Sequence, residues 1–308
     1  MHAQPSRQLV VAVLALAVLG ISISGPLARL ADAPPLAIAV WRLALSLCIV
    51  AVPLLGTGRW REWRGLAGRD LAIAMGAGAF LALHFWSWIA SLGLTSVAAS
   101  VLLVNLHPVV IVIGSALWLR EHPTRTQLIG IGIAVVGAAY VALGGAASDV
   151  ALGDATLARA TLGNGLALLG AVTVGLYYLA GRSLRQRLSL WPYVGLVYGC
   201  CLVVLLLLAA FTRTALWPFA PRELTLFALI AFGPMLAGHT GFNWALRYVP
   251  AYVVSLCLLA EPVGAGLIAA VMPGVREVPA GSVVVGGVVV LLGVGVGLYA
   301  GKREAGGG

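Results

Sequence analysis

The sequence predicts an all-α integral membrane protein in which ten transmembrane helices form two inverted five-helix repeats. Three observations predict this fold class: the apolar composition, the spacing of the apolar segments, and a similarity between the two halves of the chain. Of the 308 residues, 61% are hydrophobic and 9% are charged, and the mean hydropathy is +1.03. A soluble domain carries roughly 25% charged residues, so this deficit indicates a polytopic membrane protein.

The apolar segments have the length of membrane spans. A helix needs about 20 mostly apolar residues to cross a bilayer, and its backbone groups must be hydrogen-bonded internally. Division of the chain at its Pro, Gly and Arg clusters gives ten such segments: 8–31, 35–56, 69–91, 96–119, 124–144, 161–181, 191–212, 223–246, 250–272 and 278–300. They predict two five-helix units, 8–144 and 161–300, that together form a single transmembrane domain.

The basic residues in the loops predict the orientation of the chain. With the N-terminus in the cytoplasm, thirteen loop Arg and Lys residues lie on the cytoplasmic side and five on the outer side, so both termini are expected in the cytoplasm. Arg42, just inside the second span, is expected to reach the outer interface, with pairing to Glu261 or Asp32 as the alternative. A cleavable signal peptide ending at 31–33 is the alternative for the first span, but the repeat requires that helix.

Composition and motifs exclude several function classes. The net charge of +9 comes from basic residues scattered between apolar segments, which does not suit nucleic acid binding. The four cysteines lack metal-ligand and CxxC spacing. No GxxxxGK[ST], GxSxG or HExxH motif is present. We therefore expect no catalytic residue, no cofactor, no metal and no nucleic acid partner, and a chain in contact with the lipid bilayer.

The two halves are similar at an offset of 154 residues. SLGLTSVAASVLLVNLHPVV then aligns with ALRYVPAYVVSLCLLAEPVG, so that Pro108 meets Pro262 and His107 meets Glu261. Each unit has an odd number of helices, so the second unit enters the membrane in the opposite direction. Inverted repeats are typical of transporters, whose substrate site lies near the midplane between the halves.

The second half carries residues typical of a known family. Glu261 and Pro262 form an EP pair in the ninth helix, Glu277 follows just beyond it, and the tenth helix is rich in glycine. This pattern resembles the EamA branch of the drug/metabolite transporter (DMT) superfamily. The VNLHP segment at 104–108 is similar to the VNYLWP of YddG-type amino acid exporters, though one residue shorter. The resemblance covers essentially the whole chain.

The resemblance implies a secondary transporter of the bacterial inner membrane, not an enzyme, that acts by alternating access as a monomer or homodimer. Its small-molecule substrates would be amino acids, including aromatic or other hydrophobic ones, or related metabolites. Helices 3, 4, 8 and 9, with parts of 1 and 6, would line a central cavity. Export of drugs, sugars or nucleotide derivatives is the alternative within the same fold, and a membrane-embedded enzyme or a pore is a more distant one.

Polar residues inside the apolar segments are the candidate binding residues, because a polar side chain in lipid is costly unless it faces protein or a water-filled cavity. His84 and Trp88 are four residues apart and share one face of the third helix. His239 and Asn243 repeat that spacing in the eighth helix, one residue out of register with the first pair. These side chains either line a cavity or only hydrogen-bond to a neighbouring helix.

The middles of the fourth and ninth helices carry His107 and Glu261, each directly before a proline. Proline removes a helical hydrogen bond, so kinks are expected at Pro108 and Pro262. Both residues are possible coupling groups that bind a proton or a substrate ammonium, although Glu261 would equally serve to brace the kink.

Two further residues complete the candidate site. Ser100 lies on the same helical row as His107, and one of the adjacent tyrosines, Tyr177 or Tyr178, is expected to face the cavity. The candidate substrate-binding residues are His84, Trp88, Ser100, His107, Tyr177, His239, Asn243 and Glu261. The glycine-rich runs of helices 5 and 10 predict close helix packing or a dimer interface instead.

Overall fold

The computed structural model describes residues 5–150, 154–276 and 281–304, and within these ranges its regular elements are helices. Glu277 of the family pattern lies outside the described residues. The main helices in chain order are α1 (Arg7–Leu30), α2 (Pro35–Gly56), α3 (Gly68–Leu92), α4 (97–119), α5 (Arg125–Val150), α6 (Asp154–Arg185), α7 (Leu190–Phe211), α8 (Pro221–Ala245), α9 (Ala251–Val271) and α10 (Gly281–Glu304).

Eight of these helices, α1–α4 and α6–α9, are long and apolar enough to cross a membrane. The prediction of a helical multi-pass membrane protein is therefore confirmed. Helices α5 and α10 contain shorter apolar stretches, Arg125–Tyr140 and Val284–Gly297, so the count of ten spans stays a prediction. Seven of the eight long helices match the predicted spans within two residues at each end. Helix α6 is the exception, since it begins at Asp154, seven residues before the predicted start.

Helices α4 and α9 are each broken in the middle. The first part of α4 ends at Val104 and the second begins at His107, whereas α9 breaks between Leu258 and Glu261. In both helices the second residue after the break is a proline, which has no N–H to donate to the preceding turn. The two breaks are separated by 154 residues, which is the offset at which the halves of the sequence align.

Helix α8 contains a ten-residue π-helical segment, Ala231–Thr240. Pro234 lies inside it, and the Thr240 hydroxyl donates a hydrogen bond to the Met235 carbonyl, five residues earlier, over 3.1 Å. A π-type bond spans one residue more than an α-helical bond, so the segment takes up one extra residue. His239, which is one residue out of register with His84, lies near the end of this segment.

The contacts between helices are symmetric. If the helices of the first half are exchanged for the equivalent helices of the second half, the same set of contacts results. Helix α2 packs against α7, α4 against α9 and α5 against α10, and each of these pairs joins equivalent helices. Helix α1 packs against α8 and α3 packs against α6, and exchange converts one of these pairs into the other. Two units related by a two-fold axis give this pattern.

The packing of α5 against α10 depends on glycine. A Cβ atom at Gly130 would lie 2.5 Å from the Gly297 nitrogen and 2.6 Å from the Gly293 carbonyl oxygen. Real Cβ atoms do not approach backbone so closely, so the two helices touch only because the side chains are missing. The predicted close packing of these glycine-rich helices is confirmed, and it occurs within one chain.

Candidate functional site

A cavity of about 30 Å³ lies at the centre of the protein. Its lining comes from α1, α3, α4, α6, α8 and α9, the helices from which the family resemblance implied a cavity. The lining residues are Ile21, Ser24, His84, Trp88, Val104, Asn105, His107, Val174, Tyr178, His239, Leu258 and Glu261. Such a volume holds about one water molecule, whereas small-molecule pockets measure roughly 300–1,000 Å³. The central cavity is therefore too small to hold a metabolite in this structure.

Aromatic and imidazole rings from three helices form most of the polar wall. The rings of His84 and Trp88 on α3 are parallel, with centroids 6.1 Å apart. His239 on α8 meets the edge of His84 at 6.1 Å and stacks on Tyr178 of α6 at 6.4 Å. His84 Nδ1 donates to the Gly170 carbonyl over 3.0 Å, which orients the ring. The cavity wall is thus a set of ring faces and edges held by neighbouring helices.

Among the described residues, five buried polar atoms of the lining have no hydrogen-bond partner. They are Trp88 Nε1, Asn105 Oδ1, His107 Nε2, the Tyr178 hydroxyl and His239 Nδ1. Each unpaired buried polar group costs about 1–3 kcal/mol, and buried polar groups are normally paired. Their concentration around one cavity marks this place as suited to a polar or charged ligand.

Asn105 and Glu261 connect the two halves at the helix breaks. Asn105 Nδ2 donates to the Val101 carbonyl over 2.8 Å and to Glu261 Oε2 over 3.3 Å. Sequence reasoning did not select Asn105, although it stands at the break ahead of Pro108. Both possible coupling groups, His107 and Glu261, lie in the cavity lining. The hydrogen bond to Glu261 comes from Asn105.

His107 also stabilises the break in α4. Pro108 has no N–H for the Val104 carbonyl, and His107 Nδ1 donates to that carbonyl instead, over 3.1 Å. With its proton on Nδ1, a neutral His107 presents Nε2 to the cavity as an acceptor. The side chain therefore braces the break and faces the cavity.

Three candidate residues lie outside the cavity lining. Ser100 is hydrogen-bonded to the Ser91 hydroxyl at 2.5 Å. Asn243 donates to the Tyr177 hydroxyl and, over 3.4 Å, to the Tyr198 hydroxyl. Of the two adjacent tyrosines, Tyr178 lines the cavity and Tyr177 turns toward Asn243, because neighbouring helical residues point about 100° apart.

The expectation that Arg42 reaches the outer interface is wrong. Its side chain is 1% exposed, and its guanidinium lies 4.0 Å above the ring of Phe85. Arg42 Nη2 also approaches Met235 Sδ, on the π-helical segment of α8, at 3.9 Å. Although Arg42 is only seven residues from the start of α2, helices α3 and α8 cover it, and their packing cannot be inferred from its position in the sequence.

Ionic contacts join the helices at the end predicted to be cytoplasmic. Arg182 of α6 pairs with Glu121 at 2.7 Å and donates to the Leu246 carbonyl over 2.7 Å. Arg187 donates to both carboxylate oxygens of Asp70 over 2.7 and 2.8 Å. These contacts connect α6 and the turn after it to α3 and α8 and to the segment that follows α4.

The opposite end is held through Glu223, which is 5% exposed. Its carboxylate accepts from the Asp32 backbone N–H over 3.0 Å and pairs with Arg222 at 2.7 Å. Arg222 also donates to the Leu30 carbonyl over 3.1 Å, so α8 is connected to the end of α1. Within the described ranges, no group of three or more His, Cys, Asp or Glu residues is placed to hold a metal ion.

Two symmetrically packed sets of apolar helices around a central cavity with polar groups in its lining are typical of a membrane transport protein. The chain belongs to the EamA-like transporter family, which matches it twice, over residues 8–143 and 161–298. The resemblance inferred from the EP pair is confirmed at the level of this family, whose members are transporters. The YddG-type specificity has no such support.

Comparison with solved structures supports the fold. One crystal structure of a protein matches with a TM-score of 0.73 over 97% of this chain and 99% of its own, at 18% identity. At that identity the likeness concerns the fold alone. No curated protein sequence matches the chain.

Proposed function

We propose that the chain is a secondary transporter of the bacterial inner membrane that exports amino acids, including aromatic or other hydrophobic ones, or related small metabolites. The observation that carries this proposal is the concentration of unpaired polar atoms in a ring-lined cavity between the two halves. An amphipathic zwitterion needs a few polar partners in an otherwise apolar site, and this cavity offers that combination.

Transport takes place by alternating access. Ten helices span the membrane, and the units 8–144 and 161–300 are inverted relative to each other, with both termini in the cytoplasm. The two halves rock about the central cavity. The contacts of Arg182 and Arg187 join helices at the cytoplasmic end, and those of Glu223 join α8 to the end of α1 at the outer end. Opening either end requires the contacts at that end to break while those at the other remain.

The substrate contacts the lining side chains directly. His84, Trp88, Tyr178 and His239 supply ring faces and polar edges, and the other two candidates of the lining, His107 and Glu261, lie at the helix breaks. Glu261 accepts the substrate ammonium or a coupling proton, and His107 Nε2 accepts a second hydrogen bond. Ser100, Tyr177 and Asn243 act from behind the lining by holding these rings and helices in place.

Counterflow in proteoliposomes tests the proposal. Purified protein is reconstituted with unlabelled compound inside, and uptake of the labelled compound is followed for phenylalanine, leucine and threonine, a hexose, a nucleoside and a cationic dye. We expect transient accumulation of at least one amino acid, absent from protein-free liposomes. Exchange confined to the hexose, the nucleoside or the dye would replace amino acid export with the corresponding alternative.

A further inference from the structure

Arg42 is a buried cation without an ionic partner. Its guanidinium is covered by the Phe85 ring on one side and by the Met235 thioether on another, and its Nε has no hydrogen-bond partner. Within the described residues, no carboxylate lies within 4.0 Å of it. A ring face and a sulfur atom are weak partners for a charge inside a membrane. Among the residues that the structure describes, Arg42 is therefore without a counter-ion in contact with it.

Only one ring separates Arg42 from the central cavity. Phe85, which covers the guanidinium, meets the ring of His239 edge-on at 5.1 Å and that of His84 at 5.2 Å. Both histidines line the cavity. Arg42 therefore lies directly behind the ring that packs against both histidines of the lining.

The cavity has a carboxylate but no cation of its own. Glu261 supplies the carboxylate, and among the described residues no ion pair joins it to Arg42. A cation beside one wall and a carboxylate in the lining match a ligand that carries one charge of each sign. Arginine suits the anionic end because its planar guanidinium binds a carboxylate through two parallel hydrogen bonds.

We propose that Arg42 binds the carboxylate of the substrate once Phe85 moves aside. The ligand class is a carboxylate with a planar apolar body, which lies between the rings of Trp88 and Tyr178, and an ammonium group on such a ligand faces Glu261. This inference rests on the proposed function, because it assumes that the central cavity is the transport site. The inference adds to the proposed function the requirement that a substrate carries a carboxylate.

Four small molecules of similar size separate the charge requirements. L-phenylalanine carries both charges, L-phenylalaninamide and phenethylamine carry only the ammonium, and phenylacetate carries only the carboxylate. Thermal unfolding of the purified protein in detergent is followed with each compound in turn. We expect phenylalanine to raise the melting temperature most, because it reaches both Arg42 and Glu261, and phenylacetate to raise it more than either amine. Stabilisation by the amines equal to that by the acids, or no stabilisation by either acid, would overturn the proposal without the use of any variant.

Variants of Arg42 localise the effect. Arg42→Gln removes the charge, Arg42→Lys keeps it without the planar fork, and Arg69→Gln removes an exposed arginine of α3 as the matched control. We expect Arg42→Gln to weaken phenylacetate binding by roughly tenfold or more, Arg42→Lys to weaken it less, and Arg69→Gln to leave it unchanged. Undiminished binding to a folded Arg42→Gln protein would show that Arg42 has only a packing role.

The compounds also distinguish failure of this inference from failure of the proposed function. Binding of phenylacetate that depends on Arg42, without binding or counterflow of any amino acid, supports the anion site and contradicts amino acid export. Counterflow of phenylalanine that is equal in the wild type and Arg42→Gln supports amino acid export and contradicts the anion site at Arg42.

Discussion

Asn105 on α4 donates a hydrogen bond to Glu261 on α9 over 3.3 Å and joins the two halves of the protein at the points where both helices break. The proline after each break creates the irregular backbone, and the irregular backbone brings polar groups to the middle of the membrane. The contact is adjacent to the cavity and belongs to both halves. A displacement of α4 relative to α9 at this point would strain or break it.

Substitution of Glu261 by Gln tests the role of its charge. Glutamine keeps the size of the side chain and an oxygen that accepts from Asn105, so the melting temperature should change little. Transport should fall by roughly tenfold or more, because the charged partner of the substrate ammonium is lost. Initial rates of counterflow in proteoliposomes measure the effect.

The pH profile of the same variant tests proton coupling. The titratable and charged groups around Glu261 are His84, His107, Tyr178, His239 and, behind Phe85, Arg42. If Glu261 carries the coupling proton, rates measured across the pH range become flat in Glu261→Gln. Asp32→Asn, at an exposed position after α1, is the control and should retain the wild-type profile. Wild-type rates and an unchanged profile in Glu261→Gln would make Glu261 a structural residue.

The adjacent tyrosines provide a matched pair. The Tyr178 hydroxyl is unpaired and faces the cavity, whereas the Tyr177 hydroxyl accepts from Asn243 behind it. Tyr178→Phe should reduce transport without loss of stability, because it removes a group that only a ligand satisfies. Tyr177→Phe should lower the free energy of unfolding by about 1 kcal/mol. Parallel counterflow and thermal unfolding measure both, and equal transport defects in the two variants would contradict the assignment.

Trp88 is predicted to contact the substrate through both its ring and its unpaired Nε1. It is 3% exposed, so truncation to alanine would leave a large cavity and cost about 3–5 kcal/mol. Trp88→Phe keeps a ring and removes only the N–H donor, and it should slow counterflow while the protein remains folded. Trp118→Phe, at a position 40% exposed on α4, is the control. Wild-type transport by Trp88→Phe would assign Trp88 to packing.

Much of the fold could be predicted because the bilayer imposes simple rules. The ends of α2, at Pro35 and Gly56, agree with the sequence prediction at both residues, since a helix in lipid must be apolar and long enough. The glycines of α5 and α10 indicated close packing for a similar reason: only glycine permits backbone contact. These features depend on short stretches of sequence and not on distant contacts.

The site was harder to predict because its geometry depends on packing between distant helices. The π-helical segment that brings His239 beside His84 appears in the sequence only as a one-residue mismatch between the halves. The burial of Arg42 depends on Phe85 and Met235, which are 43 and 193 residues away. Helical periodicity did identify the face shared by His84 and Trp88, but it did not distinguish Tyr177 from Tyr178.

The glycine contact between α5 and α10 leads to a prediction about stability. In Gly130→Ala the new methyl group meets the backbone of Gly293 and Gly297, so the helices must separate and stability should fall by about 1–3 kcal/mol. Gly132→Ala adds the same group where nothing lies within 4 Å, and alanine should stabilise the helix there slightly. Melting temperatures in detergent compare the two variants. Equal changes would contradict the packing described for these helices.

Two equivalent loops test the inversion of the repeats. Arg61 follows α2 and Ala215 follows α7, and the two positions are equivalent at the offset of 154 residues. Both are exposed. A cysteine is placed at one or the other position in a variant whose four native cysteines are replaced by alanine. We expect a membrane-impermeant maleimide to label Ala215→Cys in intact spheroplasts and Arg61→Cys only after permeabilisation, because inverted units place equivalent loops on opposite sides. Labelling of both positions from the same side would contradict the inverted repeat, whereas the reverse pattern would keep the inversion and place the termini outside.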